Sequence, residues 1–179
     1  MYRYLKRIMD IILSIIFIIV LSPIFLIISI ILLFTLKRKI IFIQEREGKN
    51  KIPFKMYKFR TMTLDNNISD RNRITKFGKF LRNFSLDEIP QLLNVLKGEM
   101  SIVGPRPFIV GEVLPKDYID PIRYSVRPGM TGLAQIHGKR KIKHKDKINY
   151  DAIYAKYYNI FMDIKILFLT IFNFIQKDN

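Results

Sequence analysis

From Ile11 to Leu36 the chain is almost wholly apolar, interrupted only by Ser14, Ser22, Pro23, Ser29 and Thr35. A helix of about 26 such residues is long enough to cross a hydrocarbon layer of about 30 Å. Ser22-Pro23 divides it near its middle, leaving halves of about 18 Å each. A proline there removes one backbone hydrogen bond, and the serine beside it can take up the freed carbonyl, which is how bends are tolerated in lipid. Arg3, Lys6 and Arg7 precede the run, and Lys37, Arg38 and Lys39 follow it. Lys and Arg mark the cytoplasmic side of a membrane, and here both flanks carry them. The expected structure over residues 1–36 is therefore a re-entrant helix-break-helix that enters and leaves by the cytoplasmic face. A Pro-kinked single span is the alternative. No small-residue cleavage site follows the run, so it is expected to stay in the mature protein.

The remainder, residues 37–179, has room for a single functional unit with a sizeable core. With Lys+Arg 31 against Asp+Glu 15, the formal charge of +16 implies an anionic partner: nucleic acid, an acidic membrane surface or a phosphorylated substrate. The absence of cysteine excludes disulfides, thiolate nucleophiles and thiolate metal sites. His137 and His144, seven apart among lysines, read as surface residues and not as a zinc pair. The basic run Lys139 to Lys145 lacks interleaved aromatics for base stacking and has no reading helix around it. Anionic membrane lipid, and not nucleic acid, is its expected partner.

Ile40 to Gln44 and Phe54 to Met62 read as short strands joined by the turn-rich Glu45 to Pro53. Lys58 and Arg60 would share one strand face, as a phosphate-facing pair or as a solvated edge. Leu64 to Arg73 is polar and is assigned no structure. Ile74 to Asn83 has helical periodicity and ends on Arg82. Tyr150 to Ile175, rich in aromatics and interrupted by Asp163 and Lys165, reads as helices lying at the membrane interface.

The most informative stretch is Ser85 to Pro107. Leu86, Ile89, Leu92, Leu93 and Leu96 recur at helical spacing, Gly98 supplies a stop, and Asp87 and Glu88 fall in the first turn. Neighbours on a helix point about 100° apart, so the two carboxylates address different partners, one free to attack while the other holds a metal. A capping box, Ser85-x-x-Glu88, is the plainer alternative, which Pro90 weakens. Met100 to Val103 reads as a buried strand leading into Gly104-Pro105-Arg106-Pro107. The two prolines present Arg106 at low entropic cost, and its fork suits phosphate. Arg127 sits in a second Pro-Gly turn, Val126 to Gly132, whose amides could line an anion site.

Taken together, Lys6 to Asp10, Ser22-Pro23, Tyr57 to Met62, Ser85 to Leu92, Asn94 to Ser101, Val103 to Pro107 and Arg127 to Gly132 resemble, in the same order, the motifs of the bacterial sugar transferases. More narrowly the chain is similar to the small monotopic phosphoglycosyl transferases that consist of the catalytic core alone. The resemblance implies an α+β chain with a re-entrant anchor, a small α/β cytosolic core of short strands, and interfacial amphipathic helices, on the cytoplasmic face of the bacterial inner membrane. It implies transfer of a sugar 1-phosphate from a UDP-sugar to polyprenyl (undecaprenyl) phosphate, with release of UMP, as the first membrane step of glycoconjugate assembly such as exopolysaccharide. Asp87 carries over as the nucleophile that forms a phosphosugar intermediate, and Glu88 as a ligand of Mg²⁺. Lys58, Arg82, Arg106, Arg127 and Arg140 carry over as phosphate-binding residues. One departure is Lys139, which stands between Gly138 and Arg140 where the family has Gly-Arg. Pairing into a homodimer is left open.

Two other readings explain the charge: a non-catalytic cationic protein that recruits partners to acidic lipid, and a nucleic-acid binder tethered to the membrane. Neither accounts for two proline-framed arginines that follow a carboxylate pair.

Overall fold

The structure, a computed structural model, describes residues 2–36, 39–63, 69–111, 120–138 and 143–175. The apolar run lies in α1 (Tyr2–Thr35), the one helix among the described residues long and apolar enough to cross a membrane. The expected helix-break-helix is not seen as two separate halves, because α1 continues through Pro23. Pro23 has no N–H for the carbonyl of Ile19, and Ser22 Oγ donates to that oxygen at 2.8 Å instead. The flanking Lys37 and Arg38 lie outside the described residues, as does Leu64 to Ile68 of the polar stretch.

Beyond α1, β1 (Ile41–Glu47) and β2 (Pro53–Phe59) form an antiparallel hairpin with Ile41 opposite Phe59 and Glu47 opposite Pro53. The lower end of the polar stretch is not structureless: Asp70–Arg73 form a single helical turn, α2, before α3 (Lys76–Asn83). Thr75 caps α3 by accepting from the Gly78 amide. The helix expected from Ser85 onward is split. A 3₁₀ turn, Leu86–Glu88, precedes α4 (Gln91–Lys97), which starts only after Pro90 and ends on Gly98 at φ +85°. Proline at the helix start removes no intrahelical bond, so the sequence places the break where it costs least. Ser85 makes no side-chain cap, and the capping-box reading is corrected.

Two short strands, β3 (Ser101–Val103) and β4 (Gly129–Thr131), pair in parallel. The glycines of the second Pro-Gly turn allow this pairing. A Cβ on Gly129 would lie 2.0 Å from the Gly104 nitrogen, and one on Gly132 would lie 2.1 Å from the Gly104 oxygen. The amide of Gly129 donates to Pro105 O and that of Gly104 to Thr131 O, so these amides are engaged in backbone pairing and do not line an anion site.

The chain closes with α5 (Leu133–Gly138), α6 (His144–Tyr157) and α7 (Ile160–Ile175). One core runs through the molecule, from Ile28 and Leu32 of α1 and Leu36 just after it through Met56 and Phe59 of β2, Leu92 and Val95 of α4, and Ile102 and Val103 of β3 to Tyr154 and Ile166. Outside it, Phe161, Ile164, Phe168 and Ile171 expose an apolar stripe along α7 at helical spacing, as the interfacial reading expects. Asp163 is not part of that surface. It is buried and accepts from Tyr2 Oη, Lys6 Nζ and Tyr154 Oη at 2.5, 2.6 and 2.7 Å, tying the start of α1 to α6 and α7.

Candidate active site

The 3₁₀ turn that carries Asp87 and Glu88 packs between β2 and α3. Ser85 turns the chain into it with φ +53°, the left-handed region that is unfavourable for a residue with a Cβ. Strain of this kind next to a carboxylate pair persists only where the surroundings enforce it. Asn94 does part of that enforcing. Fully buried, it accepts from the Tyr57 amide at 3.1 Å and donates to Lys55 O and Glu99 Oε2 at 2.7 Å each, which pins α4 to the strand that bears Lys58.

The two carboxylates differ in environment. Glu88 Oε1 accepts from Lys58 Nζ at 2.8 Å and from Arg106 Nη2 at 3.0 Å. Burial alone would raise the Glu88 pKa, but the charges and hydrogen bonds of Arg106 and Lys58 hold it down at about 2. Asp87 is 8% exposed. Its burial first, and then the adjacent Glu88 charge, raise its pKa above the ordinary aspartate value, while Lys58 and Arg82 lower it only in part. The more basic carboxylate is thus Asp87, while Lys58 and Arg106 favour the ionised form of Glu88.

Of the expected phosphate-binding residues, the fold brings Lys58 and Arg106 onto Glu88 and sets Arg82 beside Asp87, with Arg82 Nε donating to Thr61 Oγ1 at 2.8 Å. Arg60 does not join Lys58. It donates to Lys39 O and Ile41 O and rests over the Phe42 ring, so it fastens the edge of the hairpin. Arg127 is not brought to the dyad either; it donates to Gly98 O at 2.7 Å, at the far end of α4. Arg140 lies outside the described residues, with Lys139, Lys141 and Ile142 of the basic run.

Arg106 has supports that the sequence did not disclose. Arg123, 3% exposed, donates from Nη2 to Arg106 O at 2.7 Å and to Asp151 Oδ2 at 2.9 Å, and its guanidinium lies 3.7 Å from the centre of the Phe108 ring. Arg46 donates to Pro107 O at 3.2 Å. Arg106 also borders a shallow cleft with Glu47, Pro105, Pro107 and Tyr124. Nothing in a single sequence pairs Arg123 with Asp151, which are 28 residues apart. Asp10, inside the Lys6 to Asp10 motif, is buried and accepts from Ser101 Oγ and the Ile102 amide at 2.9 and 3.0 Å, which docks α1 on β3.

Glu88 Oε2 and the Asp87 carboxylate accept no side-chain hydrogen bond among the described residues. No cluster of three or more His, Asp or Glu suited to a metal occurs among them. Mg²⁺ does not need one, since it is commonly held by one or two carboxylates, water and substrate phosphates. A carboxylate with one oxygen anchored and the other open fits that mode of binding.

A family model for bacterial sugar transferases matches residues 1–177. The chain is 44% identical to a UDP-glucose:undecaprenyl-phosphate glucose-1-phosphate transferase of Klebsiella pneumoniae, over 96% of this chain and 40% of that protein. It is 38% identical to the protein of the same name from Escherichia coli, over 98% of this chain and 41% of that one. It is also 38% identical to the exopolysaccharide production protein PSS of Rhizobium leguminosarum, over 93% of both. The chain therefore spans about two fifths of the length of the first two relatives and nearly all of the third. With Lys58, Arg82 and Arg106 gathered at one carboxylate pair and the family model matching residues 1–177, the chain belongs to the bacterial sugar transferase family.

Proposed function

We propose that this chain is a phosphoglycosyl transferase that moves a sugar 1-phosphate from a UDP-sugar to polyprenyl phosphate through an aspartyl-phosphosugar intermediate. The observation that carries the reading is the division between the two carboxylates. Lys58 and Arg106 both bind Glu88, while Asp87 accepts no side-chain hydrogen bond among the described residues and has a raised pKa. As the more basic of the two carboxylates, Asp87 is the better nucleophile in its ionised form. Its oxygen attacks the phosphorus that bears the sugar, the bond to the bridging oxygen breaks, and UMP leaves. An oxygen of polyprenyl phosphate then attacks the same phosphorus and releases Asp87 as a carboxylate. Both steps join anions, so repulsion must be offset. Lys58, Arg82 and Arg106 offset part of it, and Glu88 would hold Mg²⁺, which when bound supplies the remaining neutralisation of the diphosphate.

The membrane reading rests on both halves of α1. Arg7 binds Val95 O and Leu96 O, Asp10 binds β3, and Phe25 packs on Phe59 with ring centroids 4.8 Å apart. Both halves thus dock on the same body, and apolar residues are exposed along the length of α1, Ile16, Val20, Ile27 and Phe34 among them. A helix that dips into one leaflet and returns satisfies these contacts, with the core on the cytoplasmic face.

The test is incubation of the purified chain with a UDP-sugar and Mg²⁺ but without lipid acceptor. The expected result is at most one UMP per chain and a phosphosugar adduct in the intact mass, both lost with EDTA and with Asp87→Asn. Wild-type turnover in Asp87→Asn would overturn the assignment of the nucleophile. A panel of UDP-sugars in the same assay identifies the sugar.

A further inference from the structure

We propose that a second anion site, distinct from the catalytic one, lies at the N-terminal end of α1 and takes the phosphate of an anionic lipid headgroup. A shallow cleft opens there, lined by the cations Arg3, Lys6, Arg7, Lys49 and Arg127 against one carboxylate, Asp10. It lies at the opposite end of α4 from the Asp87-Glu88 turn, about 10 Å away for a seven-residue helix.

The charge in this cleft is in excess. Lys6 is matched by Asp163 at 2.6 Å, and Asp10 faces Ser101 and Ile102. Arg3 makes no ion pair among the described residues. The guanidiniums of Arg7 and Arg127 converge on Gly98, where a Cβ would meet Arg7 Nη2 at 3.4 Å and Arg127 Nη2 at 4.0 Å. Burial first, and then the nearby charge of Arg127, lower the Arg7 affinity for its proton. What holds them is the C-terminal end of α4, whose carbonyls accept from Arg7 at Val95 and Leu96 and from Arg127 at Gly98. Such carbonyls carry only partial charge. An anion seated between the forks would complete the neutralisation, and Ser125 and Tyr158 stand at the same wall.

Position identifies the source of the phosphate. Arg3, Lys6 and Arg7 immediately precede the apolar run, at the level of the headgroups for any helix that enters lipid at Ile11. On the other face of the same turns, Tyr4, Leu5 and Ile8 are exposed and apolar, at 79%, 45% and 54%. A phospholipid can therefore place its phosphate in the cleft and its chains against Tyr4, Leu5 and Ile8. Arg127, which was expected to meet a phosphate, meets one here and not at the carboxylate pair.

The experiment is isothermal titration of the full chain in neutral detergent with three probes: dihexanoyl-phosphatidylglycerol, dihexanoyl-phosphatidylcholine and inorganic phosphate. The variant is Arg3→Gln/Lys49→Gln, chosen because Arg7 and Arg127 cap α4 and their removal would damage the fold. Phosphatidylglycerol is expected to bind one per chain, more tightly than the other two probes, and to lose about tenfold in affinity in the double variant. Lys58→Gln, at the other site, is expected to leave that affinity within about twofold, as separated sites act independently. An unchanged affinity in the double variant, or a loss confined to Lys58→Gln, would overturn the site. Equal affinity for inorganic phosphate and phosphatidylglycerol would overturn the lipid as its occupant.

Discussion

Lys58 and Arg106 approach the same oxygen of Glu88, and that shared oxygen sets how the pair of carboxylates responds to pH. In the metal-free chain Glu88 titrates near 2 in the fold, against 4.5 for an ordinary glutamate. A lowered carboxylate pKa contributes stability above the unfolded value and loses it as pH falls through the folded one. Urea unfolding in EDTA should therefore show stability falling between about pH 4.5 and 2, by at most about 3 kcal/mol from this group. Glu88→Gln should flatten that part of the profile; an unchanged profile would mean that the two cations do not hold Glu88 ionised. Arg123 and Asp151 call for a different experiment. Both are buried, and Arg123→Ala leaves the Asp151 charge without its partner, which costs about 3–5 kcal/mol in such pairs. Because Arg123 also holds Arg106 O, Arg123→Lys should retain part of the stability while lowering kcat/KM. A thermal melt with steady-state kinetics on the two variants separates those effects.

At the scale of elements, the decisive feature is the β3–β4 pair, short as it is. It places the Arg106 loop beside Arg123, and it exists because Gly104 and Gly129 allow backbone to touch backbone. Gly129→Ala would set a Cβ 2.0 Å from the Gly104 nitrogen, where no flexible side chain can move aside. The expected outcome is a loss well above about 3 kcal/mol, read as a collapse of folded yield in detergent. Normal yield and melting would show that the strands do not pair so closely. The 3₁₀ turn and α4 illustrate the converse. Their periodicity was legible, but Pro90 and the left-handed Ser85 divide what spacing alone joins into one helix.

For the whole molecule, the question is which side of the bilayer each end of α1 faces. The chain has no cysteine, so single cysteines at positions 3 and 50 report topology cleanly. Both should resist a membrane-impermeant maleimide in intact cells and react after lysis. Labelling of position 3 from outside would replace the re-entrant reading with a span. The geometry behind the expectation is that α1, about 51 Å long if straight, is fastened at Asp163 and β3 near its start and buried at Ile28 and Leu32 near its end.

The sequence by itself determined the local grammar: an apolar run with a Ser-Pro interruption, a hairpin, the helix that carries Arg82, the Gly98 stop, and a carboxylate pair ahead of a proline-framed arginine. These are readable because each is set by neighbours within a few residues, through periodicity, capping and restricted φ. Only the tertiary structure decided which cation meets which anion. It put Lys58 on Glu88 and sent Arg60 to the hairpin edge, and it placed Arg127 at the far end of α4. It also buried Asp163, Asp10 and the Arg123–Asp151 pair. A charged side chain carries no local mark of its partner. Its role depends on what long-range packing brings within about 3 Å of it and on how much water that packing removes.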